Sequence, residues 1–193
     1  MKSILLSIKP KYAELIASGK KTIEVRKSAP KEVPFKAYIY CSKAKSRWLL
    51  SDYEGAYKNS KGEIVCAQQH IIGEFICDRV IEWKYLPDDV FPSWLRMYYI
   101  SVDDGEKTCL SYREIEEYGK GKTLYGWHIS DLKIYDKPKQ LNEFYRPCSY
   151  SGICYSCNRF RPNGTPNDKP NDFCDGEITR PPQSYMFVEE INK

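Results

Sequence analysis

Between Ser7 and Lys27, in the run SIKPKYAELIASGKKTIEVRK, the spacing of apolar residues changes once, and that change dictates a helix followed by a strand. Pro10 suits the first helical position, where its missing N–H would have no partner and its φ is already helical. Tyr12, Ala13, Leu15 and Ile16 then recur at helical spacing. Gly19 stops the run, because the residue just past a helix often turns left-handed and glycine does so without a Cβ clash. Beyond it the period becomes two, which sets Thr22, Glu24 and Arg26 on one face of a strand and Lys21, Ile23 and Val25 on the other. Glu24 and Arg26 therefore stand side by side, and Lys21, at the strand's mouth, is within reach of the same cleft.

The flanking chain is richer in strands than in helices. KSILLSI (2–8) reads as a short buried first strand and FKAYIYC (35–41) as an inner one. EIVCAQQHIIGEFICDRVIEW (63–83) reads as a strand, a turn and a longer strand, with Gly73 marking a bulge or a close backbone approach. Leu86 to Leu110 has no clear period and is expected to be loop with at most one helical turn. Ser111-Tyr-Arg-Glu114 is a capping box, predicting a short helix to Tyr118 closed by Gly119 and Gly121. LYGWHISDLKIY (124–135) predicts another strand or strand pair, and SYMFVEEI (184–191) the last strand. Many strands joined by connections too short for helical crossovers predict an α+β chain built as a small β-barrel, closed or nearly so, with helices at its mouth.

At 193 residues the chain is expected to form a single domain over 1–193. It has no apolar run of about 18 residues and no leader-like amino terminus, so a cytoplasmic protein without a membrane partner is expected. Charge is unevenly distributed: residues 1–61 hold 14 Lys and Arg against 5 Asp and Glu, and residues 62–193 hold 16 against 21. A basic half beside an acidic half reads either as a positive face for a polyanion or as an ordinary lysine-rich surface. Sixteen tyrosines and four tryptophans supply flat surfaces for packing or for base stacking. Lys43, Lys45 and Arg47, just before Trp48, read as a phosphate-contacting excursion or as a loop with one anchoring aromatic.

The run Gly19-Lys-Lys21-Thr-Ile-Glu24-Val-Arg26 fits G-x-K-x-x-E-x-R and resembles the signature of the ASCH domain, a member of the PUA-like superfamily. GEFICDRV from Gly73, YGKGKTLYGWHISDLKIYDKP from Tyr118 and PPQSYMFVEE near the end resemble the same family, especially its bacterial and phage-borne members. The resemblance implies a small pseudo-barrel with a helix across its mouth and binding of RNA or a modified nucleobase in the cleft between them. It also implies hydrolase or nuclease activity as an alternative. One branch of the family removes the acetyl group from N4-acetylcytidine with a motif resembling G-x-K-T-x-T-x-R, in which lysine activates a threonine nucleophile. Lys21 matches that lysine, but Glu24 stands where the threonine would be, and a carboxylate serves as a base for water rather than as an alcohol to be acylated. If the chain is an enzyme, an amidohydrolase or a ribonuclease, Lys21 and Glu24 are its candidate catalytic residues.

As a binding site, the same residues divide the work differently. Arg26 offers a bidentate donor pair, Lys21 a mobile point charge, and Glu24 an acceptor for an exocyclic amino group. The plainer alternative is that Glu24 and Arg26 pair only with each other. Lys9 is a candidate phosphate contact. Trp127 and His128 point to opposite faces of one strand, so only one of them can line the cleft, with Trp127 either the candidate stacking surface or a core residue and His128 a satisfied buried histidine or a hydrogen-bonding spacer rather than a catalytic base. Gln183 and Ser184, after Pro181-Pro182, are candidates for a polar edge.

Cys148, Cys154, Cys157 and Cys174 cluster in a polar, Gly-, Pro- and Asn-rich insertion, 146–182, between the last two predicted strands. Such a segment has too little apolar content to fold alone. Four thiolates around one structural zinc would supply the missing crosslink, with the C-x2-C pair as one half of the site. An iron–sulfur cluster, disulfides or free thiols are the alternatives. Arg146, Arg159 and Arg161 beside it extend a nucleic-acid surface or are simply solvated. The other four cysteines, Cys41, Cys66, Cys77 and Cys109, sit among apolar residues and read as small buried hydrophobes. The leading expectation is a module that binds RNA or a modified nucleoside. A phage-borne interaction module, capturing a protein partner through the insertion, is a further alternative.

Overall fold

The computed structural model describes residues 2–43, 56–60, 62, 64–86, 98–147, 176 and 178–189. Along the chain these form β1 (Lys2–Ile8), α1 (Pro10–Ala17), β2 (Ile23–Arg26), β3 (Phe35–Cys41), β4 (Ile71–Cys77) and β5 (Val80–Trp83). Then follow α2 (Val102–Thr108), α3 (Tyr112–Gly119), β6 (Leu124–His128), β7 (Ser130–Lys139) and β8 (Tyr185–Val188). Pro10 begins α1, and Gly19 follows it with φ +72°.

The strands form two sheets, ordered β7-β4-β3-β1-β8 and β2-β6-β5. β1 and β3 run parallel, because α1 and β2 lie between them in sequence; the other pairings are antiparallel. The five-stranded sheet is covered on both sides, and its alternation shows it. Ile4, Leu6 and Ile8 of β1 join Phe35, Ala37 and Ile39 in a core against Ala13 and Ile16 of α1. Leu5, Tyr38 and Tyr40 point the other way, toward Tyr135, Phe144 and Ile178. A third cluster, with Ile23, Val25, Trp83 and Leu124, packs the smaller sheet against Ile115 of α3.

A closed barrel is not what the described strands build. The run 63–83 does not give a strand, a turn and one long strand; 64–67 is unpaired, and the strand that starts at Ile71 breaks at Asp78 and Arg79 into β4 and β5. Its partner breaks at Ile129 into β6 and β7, so one bent ribbon passes from the first sheet into the second. β2 stays at the edge of the smaller sheet and β8 at the edge of the larger. Gly73 behaves as expected of a bulge: the β4–β7 register shifts beside it, and a Cβ there would lie 2.5 Å from the Lys133 carbonyl oxygen. The expected loop from Leu86 to Leu110 contains α2, whose Ser101 side chain accepts from the Asp104 N–H. Its sequence, VDDGEKT, is polar with an internal glycine and so carries no apolar period. The capping box at Ser111 and Glu114 is formed as predicted.

Candidate functional site

The cleft opens where the two sheets do not close, between β2 and the β1–β8 edge. It encloses about 710 Å³ and is walled by the end of β1, the start of α1, β2, α3 and the segment 181–184. Its floor carries three charged residues that are almost wholly buried: Lys21 at 1% exposure, Glu24 at 6% and Arg26 at 7%. Glu24 holds the centre, with Oε1 2.9 Å from Arg26 Nη2 and Oε2 3.4 Å from Lys21 Nζ.

Each cation is also tied to the backbone. Lys21 Nζ donates to the carbonyls of Ile23 at 2.8 Å and of Thr108 at 2.6 Å. The second bond sets an ammonium at the carboxyl end of α2, where the helix leaves carbonyls unpaired and favours positive charge. Arg26 Nη2 donates to the Ser7 carbonyl at 2.7 Å and so links the edge of β2 to the end of β1. Lys21 is therefore not the mobile point charge that the sequence suggests. With three N–H donors and three oxygen neighbours, it is a fixed member of the floor. Glu24 and Arg26 do pair with each other, as the plainer reading has it, and they do so while lining an open cleft.

The walls add charge and aromatic surface. On α3, Glu114, Glu117 and Tyr118 line the cleft together, as residues three and four apart on a helix do. Glu114 takes hydrogen bonds from the Ser111 backbone and side chain and a 3.2 Å contact from Lys11, and these hold its carboxyl down at about 2. Glu117 is paired with Arg113 at 2.9 Å. The charges that line the cleft balance, with Lys9, Lys21 and Arg26 against Glu24, Glu114 and Glu117, and Lys11 and Arg113 pair with the two wall carboxylates from outside the lining. Tyr12 lies half-buried against the floor: Lys21 Nζ is 5.6 Å from its ring centroid, its hydroxyl is 3.4 Å from Glu114, and burial raises its phenol.

The rim is tied to β1 twice, through Ser7 Oγ to the Pro182 carbonyl at 2.6 Å and through Ser7 N–H to the Ser184 carbonyl at 3.0 Å. Lys9, Gln183 and Ser184 all line the cleft together with Lys21, Glu24 and Arg26, so the structure brings six of the candidate ligand residues to one place.

Trp127 is the exception. Its register opposite Glu24 gives it the same face, but it lies deeper, at 0% exposure, edge-on to Phe35 at 5.1 Å and to Tyr185 at 5.2 Å. It is a core residue and not a wall of the cleft. His128 turns to the opposite face, where Nδ1 meets Asp78 Oδ1 at 2.7 Å. Among the described residues, the aromatic side chains that line the cleft are Tyr12 and Tyr118. The sequence signal for Tyr118 was its place four residues after the capping glutamate.

Cys148, Cys154, Cys157, Cys174, Arg159, Arg161 and Trp48 lie outside the described residues. Among the described residues no three or more His, Cys, Asp or Glu gather closely enough to hold a metal ion. Cys41, Cys66 and Cys77 are free and buried, as the sequence suggests, and burial pushes the Cys77 thiol up to about 12. No described helix is long and apolar enough to cross a membrane.

A comparison with curated proteins found no match. Among solved structures, the crystal structure of ASCH from Zymomonas mobilis aligns over 98% of this chain and 89% of its own, at 18% identity and a TM-score of 0.47. A single-substitution variant of that protein aligns over the same shares, at 17% identity and a TM-score of 0.51. At such identities the likeness speaks to fold alone, and the second alignment carries it. The ASCH domain matches residues 6–142, from the end of β1 past β7 and through the whole charged floor, so the chain belongs to the ASCH domain family.

Proposed function

We propose that the cleft binds RNA or a modified nucleobase. ASCH domains are generally RNA-binding, and the observation that carries the reading for this chain is the buried Lys21–Glu24–Arg26 floor under an open cleft. A carboxylate has about four lone-pair sites, and Glu24 uses part of them on its two cations. What remains suits the exocyclic amino group of a base, while Lys9, exposed at the rim, suits a phosphate.

Binding is favoured over catalysis for two reasons. Glu24 stands where the acetylcytidine hydrolases have an alcohol, and the donors of Lys21 are engaged by Ile23, Thr108 and Glu24 rather than directed at a nucleophile. The test is a titration of the purified protein with labelled single-stranded RNA, DNA and acetylated cytidine over a range of salt. Affinity for a nucleic acid should fall as salt rises, and Lys9→Ala should reduce the logarithmic salt slope by about one. Binding that is absent from the whole panel, or indifferent to salt, would contradict the proposal. Deacetylated product in the cytidine arm would move the protein to the enzymatic alternative.

For the cysteine-rich insertion we propose a structural zinc on Cys148, Cys154, Cys157 and Cys174. Support comes from its neck. The Arg146 N–H donates to the Gly176 carbonyl at 2.7 Å and the Ile178 N–H to the Phe144 carbonyl at 3.2 Å, so the insertion leaves and rejoins the domain at one point. Metal analysis of the purified protein should find about one zinc per chain, lost on treatment with a chelator at low pH. A metal-free protein with four titratable thiols in that segment would overturn it.

A further inference from the structure

We propose that Tyr118 is the stacking platform of the cleft, so that the ligand enters as a single unpaired base, from a free nucleoside or from a single strand, and not as part of a duplex. This rests on the nucleobase reading above.

Tyr118 is the last aromatic residue of α3, 38% exposed, on the helix side that also carries Glu114 and Glu117 into the cleft. The core does not claim it: the buried residues of α3 are Ile115 and Gly119. Lys27 places its ammonium 5.0 Å from the ring centroid, a cation on a π-face at the exit of β2. Tyr118 lines the same cleft as Glu24 and Arg26, so one ligand there can touch both, and burial raises its phenol.

This arrangement matches what an extruded base presents. Its flat face needs an aromatic surface, its edge needs hydrogen-bonding groups, and its phosphate needs a cation. Tyr118 supplies the first, Glu24 and Arg26 the second, and Lys9 the third. A base inside a duplex has both faces covered by its neighbours and its pairing edge occupied, so it can offer Tyr118 nothing without leaving the helix. The cleft volume, about 710 Å³, lies in the range of small-ligand sites rather than of grooves that hold a duplex.

The experiment compares wild type, Tyr118→Leu and Tyr118→Phe for binding of three probes: a labelled single-stranded RNA of mixed sequence, the same strand annealed to its complement, and free cytidine. Tyr118→Leu should lose about tenfold or more in affinity for the single strand, with an unchanged salt slope, and Tyr118→Phe should keep it. A matching loss with cytidine would show that the site accepts the base from either source. The duplex should bind more weakly than the single strand. If Tyr118→Leu binds like wild type while Lys9→Ala binds more weakly, or if the duplex binds as tightly as the single strand, the platform is overturned and the nucleobase reading stands. If wild type binds none of the probes, that reading fails as well. A thermal melt of each variant confirms that it is folded.

Discussion

Glu24 is the residue on which the site depends, because it is the shared counter-ion of two cations that are themselves buried. Removing one partner from such a cluster leaves uncompensated charge in a poorly solvated place. Glu24→Ala should therefore destabilise the fold by about 3–5 kcal/mol, measured as a shift of the urea midpoint, and should abolish ligand binding even where the protein remains folded. Glu24→Gln keeps the shape and should cost less. The Glu24–Arg26 pair was legible in the sequence because period-two alternation fixes which side chains share a strand face, whereas Lys21 lies just before the strand. Depth was not legible. Alternation puts Trp127 on the face of Glu24 as readily as the structure does, but only the packing of Phe35 and Tyr185 around it decides that it is core. Likewise Lys21 read as a mobile charge because its second anchor, the Thr108 carbonyl, lies 87 residues away along the chain.

At the scale of elements, α3 is the wall that matters, since it supplies Tyr118 and is fastened across the cleft to α1 through Glu114. The same carboxylate caps the helix and takes the Lys11 contact. Its pKa in the folded protein, about 2, lies below the ordinary 4.5, so the folded state holds this proton more weakly than the unfolded chain does. The stabilisation is accordingly complete above about pH 4.5 and is lost as pH falls toward about 2. Glu114 is more than a third exposed, so solvent screens much of the effect and the loss should be local. Amide hydrogen exchange should show α3 loosening in that acid window before the five-stranded sheet does, and Glu114→Gln should remove the pH dependence. The helix start was readable from Ser111 and Glu114, a four-residue pattern with a local cause. By contrast α2 was not, because its marks, the Ser101 cap and the acidic first turn, come without an apolar period, and the helix packs against β2, which is remote in sequence.

At the scale of the whole molecule, an ASCH fold here means two sheets joined by a bent ribbon, with the cleft in the gap that a closed barrel would have sealed. The sequence supplied nearly every strand, because each run was apolar or alternating over a few residues. It did not supply closure, which depends on where β4 gives way to β5 and β6 to β7. Gly73 is the part of that ribbon where the sequence did show a close approach. Gly73→Ala would press a methyl group into the Lys133 backbone, and it should lower stability by about 1–3 kcal/mol in chemical denaturation. It should leave the cleft residues themselves unchanged, so RNA affinity should survive below the unfolding transition. Whether RNA meets this protein in the charged cleft can be mapped chemically. Ultraviolet crosslinking of a thiouridine-containing single-stranded RNA, followed by mass-spectrometric mapping of the modified peptides, tests it most directly. Adducts should concentrate in residues 7–26, 110–118 and 181–184 and be lost in Tyr118→Leu. Adducts confined to other surfaces, such as the outer face of β7, or spread evenly over the lysines, would contradict it.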